Sequence, residues 1–381
     1  MASKPLTANA LHHKETMRTL SAAALGGLLG AIIVTVEAQP QQPAAPPQPP
    51  AAPTGRGVPQ GPQGRGAALP PLAPAAIERG EAVLADTRKA MGGDKLTAVR
   101  TIVATGRTRR VRGDNLVPIE FEINIELPDK YVRKDEVPAE ESQPTSTGFV
   151  GNDVVQFPLA PAGRGRPGGP GPGADGPAGR GPATPPTPEQ LEAQRAARLM
   201  TTKQDFARLM LGLVPSTLET YPLQFGYAAQ AAAPQGTADV LDVRGAGNFA
   251  ARLFVASDTK LPIMVSWQAP PTAVLVRTPG GAAPPSVPPG AVFVDAPAPP
   301  AAGASPEASA EYTKQVAALR QKAQATPVEY RIYYADYRDV DGVKLPFRLR
   351  RAIGPDTAEE TTFDRFRLNT KIDPRKFAVP K

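Results

Sequence analysis

The chain has 381 residues, no cysteine, two histidines, 47 prolines and a formal charge of +7. Without cysteine there are no disulfides, thiolate metal ligands, cysteine nucleophiles or acylated lipoprotein N-terminus. Both histidines, His12 and His13, precede the segment read next, so everything after it lacks the commonest general base and metal ligand.

Arg18, the apolar run from Leu20 to Val36, and the small residues Val36 and Ala38 around Glu37 predict a secretory signal peptide ending at residue 38. The mature chain would begin near Gln39. A retained membrane anchor is the alternative, but the run is marginal against the ~20 residues a span needs and is weakened by Gly26, Gly27 and Gly30. Residues 1 to 16 do not fit the pattern, and Met17 would itself serve as a start. Removal of 1–38 takes away Lys4, Lys14 and Arg18 with Glu15 and Glu37, which leaves a basic chain. An anionic ligand or surface suits that charge. The arginines are scattered among acids and glycines in an exported protein, so no nucleic-acid partner is expected.

Proline marks the organisation. Of the 47 prolines, 12 fall in 39–74, 10 in 158–188 and 11 in 269–306. Such Pro/Gly/Ala stretches bury too little apolar surface to offset the entropy of ordering, so a disordered linker is predicted over 39–74 and disordered inserts over 158–188 and 269–306. What remains between 75 and 381 suits one domain.

That domain opens with a helix in which Ile77, Gly80, Leu84, Thr87 and Met91 repeat at helical spacing and Gly92-Gly93 supplies the stop. Strands are predicted at 101–111 and 119–127, the second with Phe121, Ile123, Ile125 and Leu127 on one face and Glu120, Glu122, Asn124 and Glu126 on the other. Pro128-Asp129 ends it and Tyr131 begins the next. Thr187-Pro188-Glu189-Gln190 is a capping-box start for a helix running to Leu213, apolar in its later half. Strands follow at 240–243, 250–256 and 263–268. A polar helix over about 306–325 precedes a hairpin turning at Asp341-Gly342, with Val328, Tyr330, Ile332 and Tyr334 alternating on one arm and Val343, Leu345, Phe347 and Leu349 on the other. A last strand runs over 361–368. The sum is an α+β, mostly β fold: an antiparallel sheet of about eight to eleven strands with two or three helices on one face.

Four groups of residues bear on chemistry. Asp336, Asp339 and Asp341 with Gly342 could suggest calcium, but the spacing lacks a calcium loop and a turn asks for the same residues. The doublets Glu140-Glu141 and Glu359-Glu360 cannot act as acid–base pairs by themselves, because neighbours on a strand point to opposite faces. Arg107, Arg109, Arg110 and Arg112, with Arg348, Arg350 and Arg351, would form an outer sheet face paired with Glu120, Glu122 and Glu126, or an anionic head-group or partner site. The hydroxyls lack a Gly-x-Ser-x-Gly or Ser-x-x-Lys setting.

Several stretches resemble the outer-membrane lipoprotein-sorting family, the LolA-like periplasmic carriers. They are Ala90 to Leu96, Phe121 to Leu127 with Pro128-Asp129-Lys130-Tyr131, Leu253 to Pro262, and Tyr334 to Pro346. The resemblance implies an unclosed, strongly curved antiparallel half-barrel whose concave apolar face is covered by helices and receives acyl chains. It also implies a periplasmic address. The inserts and the long linker depart from the carrier pattern and put lipoprotein cargo in doubt. On this reading the apolar ligand is held by Phe121, Ile123, Ile125, Phe206, Leu209, Met210, Leu213, Val328, Tyr330, Ile332, Phe347 and Leu349, with the 206–213 helix as lid. The same residues would equally form a filled core, since alternation does not distinguish the two. A non-enzymatic monomer without metal or cofactor, carrying an acyl chain or similar apolar ligand, is the leading expectation. The alternatives are an envelope interaction scaffold using its Pro-rich arms and a histidine-free hydrolase using carboxylates.

Overall fold

The structure is a computed structural model that describes residues 70–112, 115–138, 143–158, 187–233, 236–280 and 286–378. The predicted signal peptide, nearly all of the predicted 39–74 linker and nearly all of the predicted 158–188 insert lie outside the described residues.

Strand content follows the alternation. The elements in chain order are α1 (Pro74–Met91), α2 (Asp94–Thr97), β1 (Thr101–Arg112), β2 (Asn115–Glu126), β3 (Lys130–Glu136), β4 (Thr145–Val150), β5 (Asp153–Phe157) and α3 (Pro188–Leu213). Then come β6 (Leu223–Ala233), β7 (Gly236–Gly245), β8 (Phe249–Ala256), β9 (Pro262–Ala269), β10 (Val274–Arg277), β11 (Val292–Asp295), α4 (Pro306–Ala325), β12 (Val328–Val340), β13 (Val343–Ile353) and β14 (Asp356–Leu368). Twelve strands form one sheet in the order β5-β4-β3-β2-β1-β14-β13-β12-β9-β8-β7-β6. All its pairings are antiparallel. The end strands β5 and β6 do not pair, so the sheet is an unclosed half-barrel.

The helices start where their caps dictate. In α3 the Thr187 hydroxyl accepts from the Gln190 backbone N–H while the Gln190 side chain accepts from that of Thr187, and Pro188 stands at the first helical position. This capping box satisfies two amide donors that would otherwise lack partners. Gly92, at φ 140°, ends α1 as expected. The predicted β12–β13 hairpin turns on Asp341 (φ 55°) and Gly342 (φ 86°), the two positive values of a type I′ turn.

The inner face of the sheet carries one large apolar core, into which α1 inserts Leu84 and Met91 and α3 inserts Phe206, Leu209, Met210 and Leu213. A smaller core of Val103, Val132 and Val155 lies on the outer face under Ile372 and Phe377 of the C-terminal segment.

Two expectations need correction. The sheet is larger than predicted, because β4, β5 and β6 join its ends. The 269–306 stretch is not wholly irregular: β10 and β11 pair in parallel from Val274↔Val292 to Arg277↔Asp295, drawing on the short runs Val274 to Val276 and Val292 to Val294. Helix α4, predicted over about 306–325, packs on this small sheet. No residue of α4 is fully buried, as its polar sequence requires.

Candidate functional site

Helix α3 crosses the concave face. It touches β4 and β5 near one end of the sheet, β8 and β9 near the other, and β13 between them. Its two halves differ. Residues 188–198 are exposed, whereas Lys203, Phe206, Ala207 and the run from Leu209 to Leu213 are buried. Phe206 meets Tyr131 at 4.9 Å between ring centroids and Phe149 edge-on at 5.3 Å. Burying an apolar side chain of this size contributes about 1.5–3 kcal/mol, so the apolar half anchors the helix.

Polar contacts fix its position along both flanks. Lys203 Nζ donates to Asn152 Oδ1 (3.2 Å) in the β4–β5 turn, and Gln204 Nε2 donates to the Gly247 carbonyl (3.1 Å) in the β7–β8 turn. Below, the Tyr334 hydroxyl donates to the Arg208 carbonyl at 2.8 Å and that of Tyr337 to the Pro262 carbonyl at 2.8 Å. Burial pushes both phenols up, Tyr334 by desolvation against a modest opposing pull from Arg351, and Tyr337 by desolvation with Tyr334 adding to it. Both therefore remain donors at neutral pH.

Ten of the twelve residues predicted to line an apolar site lie together in the inner core. They are Phe121, Ile123, Ile125, Phe206, Leu209, Met210, Leu213, Ile332, Phe347 and Leu349, none more than 7% exposed. Their apolar surfaces face one another and α3. Val328 and Tyr330 are only half-buried: Tyr330 stacks on Trp267 at 5.4 Å and donates to the Pro270 carbonyl at 2.8 Å, at the edge of the insert.

The basic residues divide by parity. Arg107, Arg109, Arg348 and Arg350 belong to the outer face, where Arg107 opposes Glu120 and Arg109 opposes Glu360. Glu122 and Glu126, expected among the arginine partners, bind Lys376 (2.8 Å) and Lys130 (2.7 Å) instead. Arg110 and Arg351 face inward around Glu359. The Glu359 Oε2 accepts from Arg110 Nε and Nη2 at 3.2 and 3.1 Å, and Arg351 Nε lies 3.7 Å from Oε1. Arg133, on β3, donates to Asp135 at 2.6 Å and to the Thr108 hydroxyl at 3.1 Å. Burial alone would raise the Glu359 carboxyl, but Arg351, Arg133 and Arg110 outweigh it and hold it below the usual carboxylate range.

Arg208 of α3 belongs to the same end. Its guanidinium lies 4.7 Å from the Trp267 ring and 5.1 Å from that of Phe249, and its Nη1 donates to Asp205 at 2.8 Å. Its Nε is buried without a partner among the described residues. Desolvation lowers its pKa, Asp205 opposes that, and repulsion from Arg351 adds to it. Sequence reasoning placed Arg110 and Arg351 in a strip that was either an outer sheet face or an anionic head-group site, and it named neither Arg133 nor Arg208 as their companions.

Two hollows lie away from these residues. A cleft of about 340 Å³ opens at the C-terminal end of α1, between Arg88, Leu96, Arg100, Leu127 and Leu218. Another, of about 460 Å³, lies beside Asp339, Asp341 and Arg367. The aspartates there serve the turn and its flank: Asp339 accepts from the Gly342 N–H at 2.9 Å, and Asp336 pairs with Arg338 at 2.6 Å. Among the described residues no cluster of three His, Asp or Glu is arranged to hold a metal ion. Nor is any helix among them long and apolar enough to cross a membrane.

Three solved structures are similar to the chain in overall path. A LolA superfamily protein from Nitrosomonas europaea is 9% identical, with 78% of this chain and 97% of that one covered and a TM-score of 0.38. A putative outer membrane lipoprotein-sorting protein domain from Vibrio parahaemolyticus is 8% identical, with 79% and 97% covered and a TM-score of 0.37. A DUF1329 family protein from Desulfovibrio piger is 7% identical, with 80% and 97% covered and a TM-score of 0.34. No family model matches the chain, and no curated protein matches it either.

Proposed function

We propose that this is an exported, non-enzymatic binding protein that takes up an acyl chain or similar apolar ligand on the concave face of its sheet, with α3 as the movable cover. The observation that carries this reading is the division of α3. A helix whose first half is exposed and whose second half fills the apolar concavity of an unclosed sheet is a plug that an apolar chain can replace. Phe206, Leu209, Met210 and Leu213 present to the sheet the kind of surface a lipid tail presents.

The carboxylates speak against the hydrolase alternative. Glu122, Glu359 and Asp373 are all held below their ordinary values. A general acid or base at neutral pH needs the opposite shift. The Glu359–Glu360 doublet is also split, with Glu359 opposite Arg351 on the inner face and Glu360 opposite Arg350 on the outer one.

Native mass spectrometry of the chain purified from its host envelope tests the reading. The expected result is a mass increment equal to one or two lipids that disappears on delipidation and returns with added palmitate. A single lipid-free species that also fails to bind palmitate would sink it.

A further inference from the structure

Among the described residues, the end of the concave face beside α3 has more guanidinium than carboxylate. Arg110, Arg133, Arg208 and Arg351 meet Asp135, Asp205 and Glu359. Each guanidinium carries five donors, so three carboxylates leave many unused. Arg208 Nε is one of them, buried with no partner among the described residues. Arg110 and Arg351 keep 42% and 36% of their side-chain surface exposed, so an anion can reach them from solvent. Burial is what chiefly lowers the Arg208 pKa, Asp205 opposes it, and Arg351 adds only the smallest repulsion. Like charges gathered at the rim of an apolar concavity are relieved by an anion, and a planar fork suits a carboxylate or phosphate.

We propose that this mouth binds the oxyanion of an amphiphile, a carboxylate or phosphate, while its chain lies on the apolar face, so that the protein prefers anionic amphiphiles to neutral ones. The proposal rests on the apolar-ligand reading above and adds a head-group site to it. Arg110 and Arg351 stand on β1 and β13 and keep their places whatever α3 does. Arg208 rides on α3 and adds its charge when the helix is seated. Glu359 sets the two strand arginines on either side of one carboxylate, which fixes the spacing of the donors left over.

The chain's only tryptophan, Trp267, lies under Arg208 and reports on this mouth. Its fluorescence, titrated with palmitate and with methyl palmitate, measures the two affinities. The expected result is about tenfold tighter binding of the acid, the size of one charge-assisted pair. In Arg351→Met and in Arg110→Met the acid should weaken to within about twofold of the ester, while ester binding stays constant. Arg109→Met, on the outer face, should keep the wild-type preference. Two substitutions guard against a misfolded variant, and ester binding is itself the check of folding. Equal affinities in the wild type overturn the head-group site and leave the apolar reading intact. So does an acid preference that survives in both variants. If neither amphiphile binds, both proposals fall. Millimolar inorganic phosphate distinguishes the source of the anion: competition with palmitate assigns the site to free oxyanions as well, and no competition assigns it to head groups alone.

Discussion

Tyr334 of β12 donates its hydroxyl hydrogen to the main-chain oxygen of Arg208 in α3, 2.8 Å away. One turn further along the helix, Gly212 lies against the same ring so closely that a β-carbon would collide with Cδ1, Cε1 and Cζ of Tyr334. The helix is thus held to the sheet at one spot by a hydrogen bond and by the absence of a side chain. Gly→Ala in an exposed helix interior gains up to about 1 kcal/mol in propensity. Here overpacking wins, and Gly212→Ala should lower stability by about 1–3 kcal/mol in urea unfolding. An unchanged or higher midpoint would mean that α3 rides clear of β12.

Glu359 makes the ionic cluster sensitive to acid. Its folded-state pKa lies below the unfolded value of about 4.3, so its contribution is complete above that value and is lost as the pH falls through the folded-state pKa. Glu359→Gln leaves three arginines facing a neutral amide and should cost about 3–5 kcal/mol at pH 7. The variant should also lose less stability than the wild type between pH 5 and pH 3, roughly the window in which a depressed carboxylate titrates. Urea midpoints across that range check both expectations; parallel acid limbs would remove Glu359 from the account.

Because the chain has no cysteine, one can be introduced without ambiguity. Met200 packs against the rim of the core from α3. Met200→Cys carrying an environment-sensitive fluorophore should shift its emission when palmitate is added, in step with the change in Trp267. A label that stays silent while palmitate binds would show that the chain lodges elsewhere and that α3 does not move.

The β12–β13 turn gives a backbone test. Gly342→Ala places a β-carbon at φ 86° and should cost about 1–2 kcal/mol, whereas Asp341→Gly relieves the neighbouring φ of 55° and should be neutral or slightly stabilising. Thermal melts of the two variants should move in opposite directions or leave only the first displaced.

Where one face of a strand is wet and the other dry, the sequence carried the fold. The alternation from Ile119 to Leu127 put Phe121, Ile123 and Ile125 in the core, and the capping box at Thr187 set the start of α3 to the residue. Ala-rich β6 was not legible: Ala228, Ala229, Ala231, Ala232 and Ala233 have helical propensity, and pairing with β7 overrides it. β4 and β5 hold β-branched Thr145, Thr147, Val150, Val154 and Val155, but runs of six and five residues without an apolar alternation do not announce a strand. The arginine mouth was hidden for a different reason. Between Thr105 and Gly106 the pairing of β1 with β14 skips Asp364, so both Phe363 and Phe366 enter the core. A bulge of this kind reverses inside and outside along the strand, and no single-strand pattern reveals it. Arg351 continues the inward set Val343, Leu345, Phe347 and Leu349, whereas the inward turn of Glu359 beyond the bulge needed the register and that of Arg208 needed the path of α3.

Ala269 and Val328, which bracket the β10–β11–α4 insert, are direct cross-strand partners of β9 and β12. The chain leaves the sheet and returns to it at the same point. The closure of that long excursion is imposed by the sheet, and the entropy of closing a loop rises by only about 0.6 kcal/mol for each doubling of its length. The half-barrel is therefore nearly indifferent to how much chain is inserted there. A graft or an excision at this junction changes what stands beside the arginines without asking the twelve strands to pair differently.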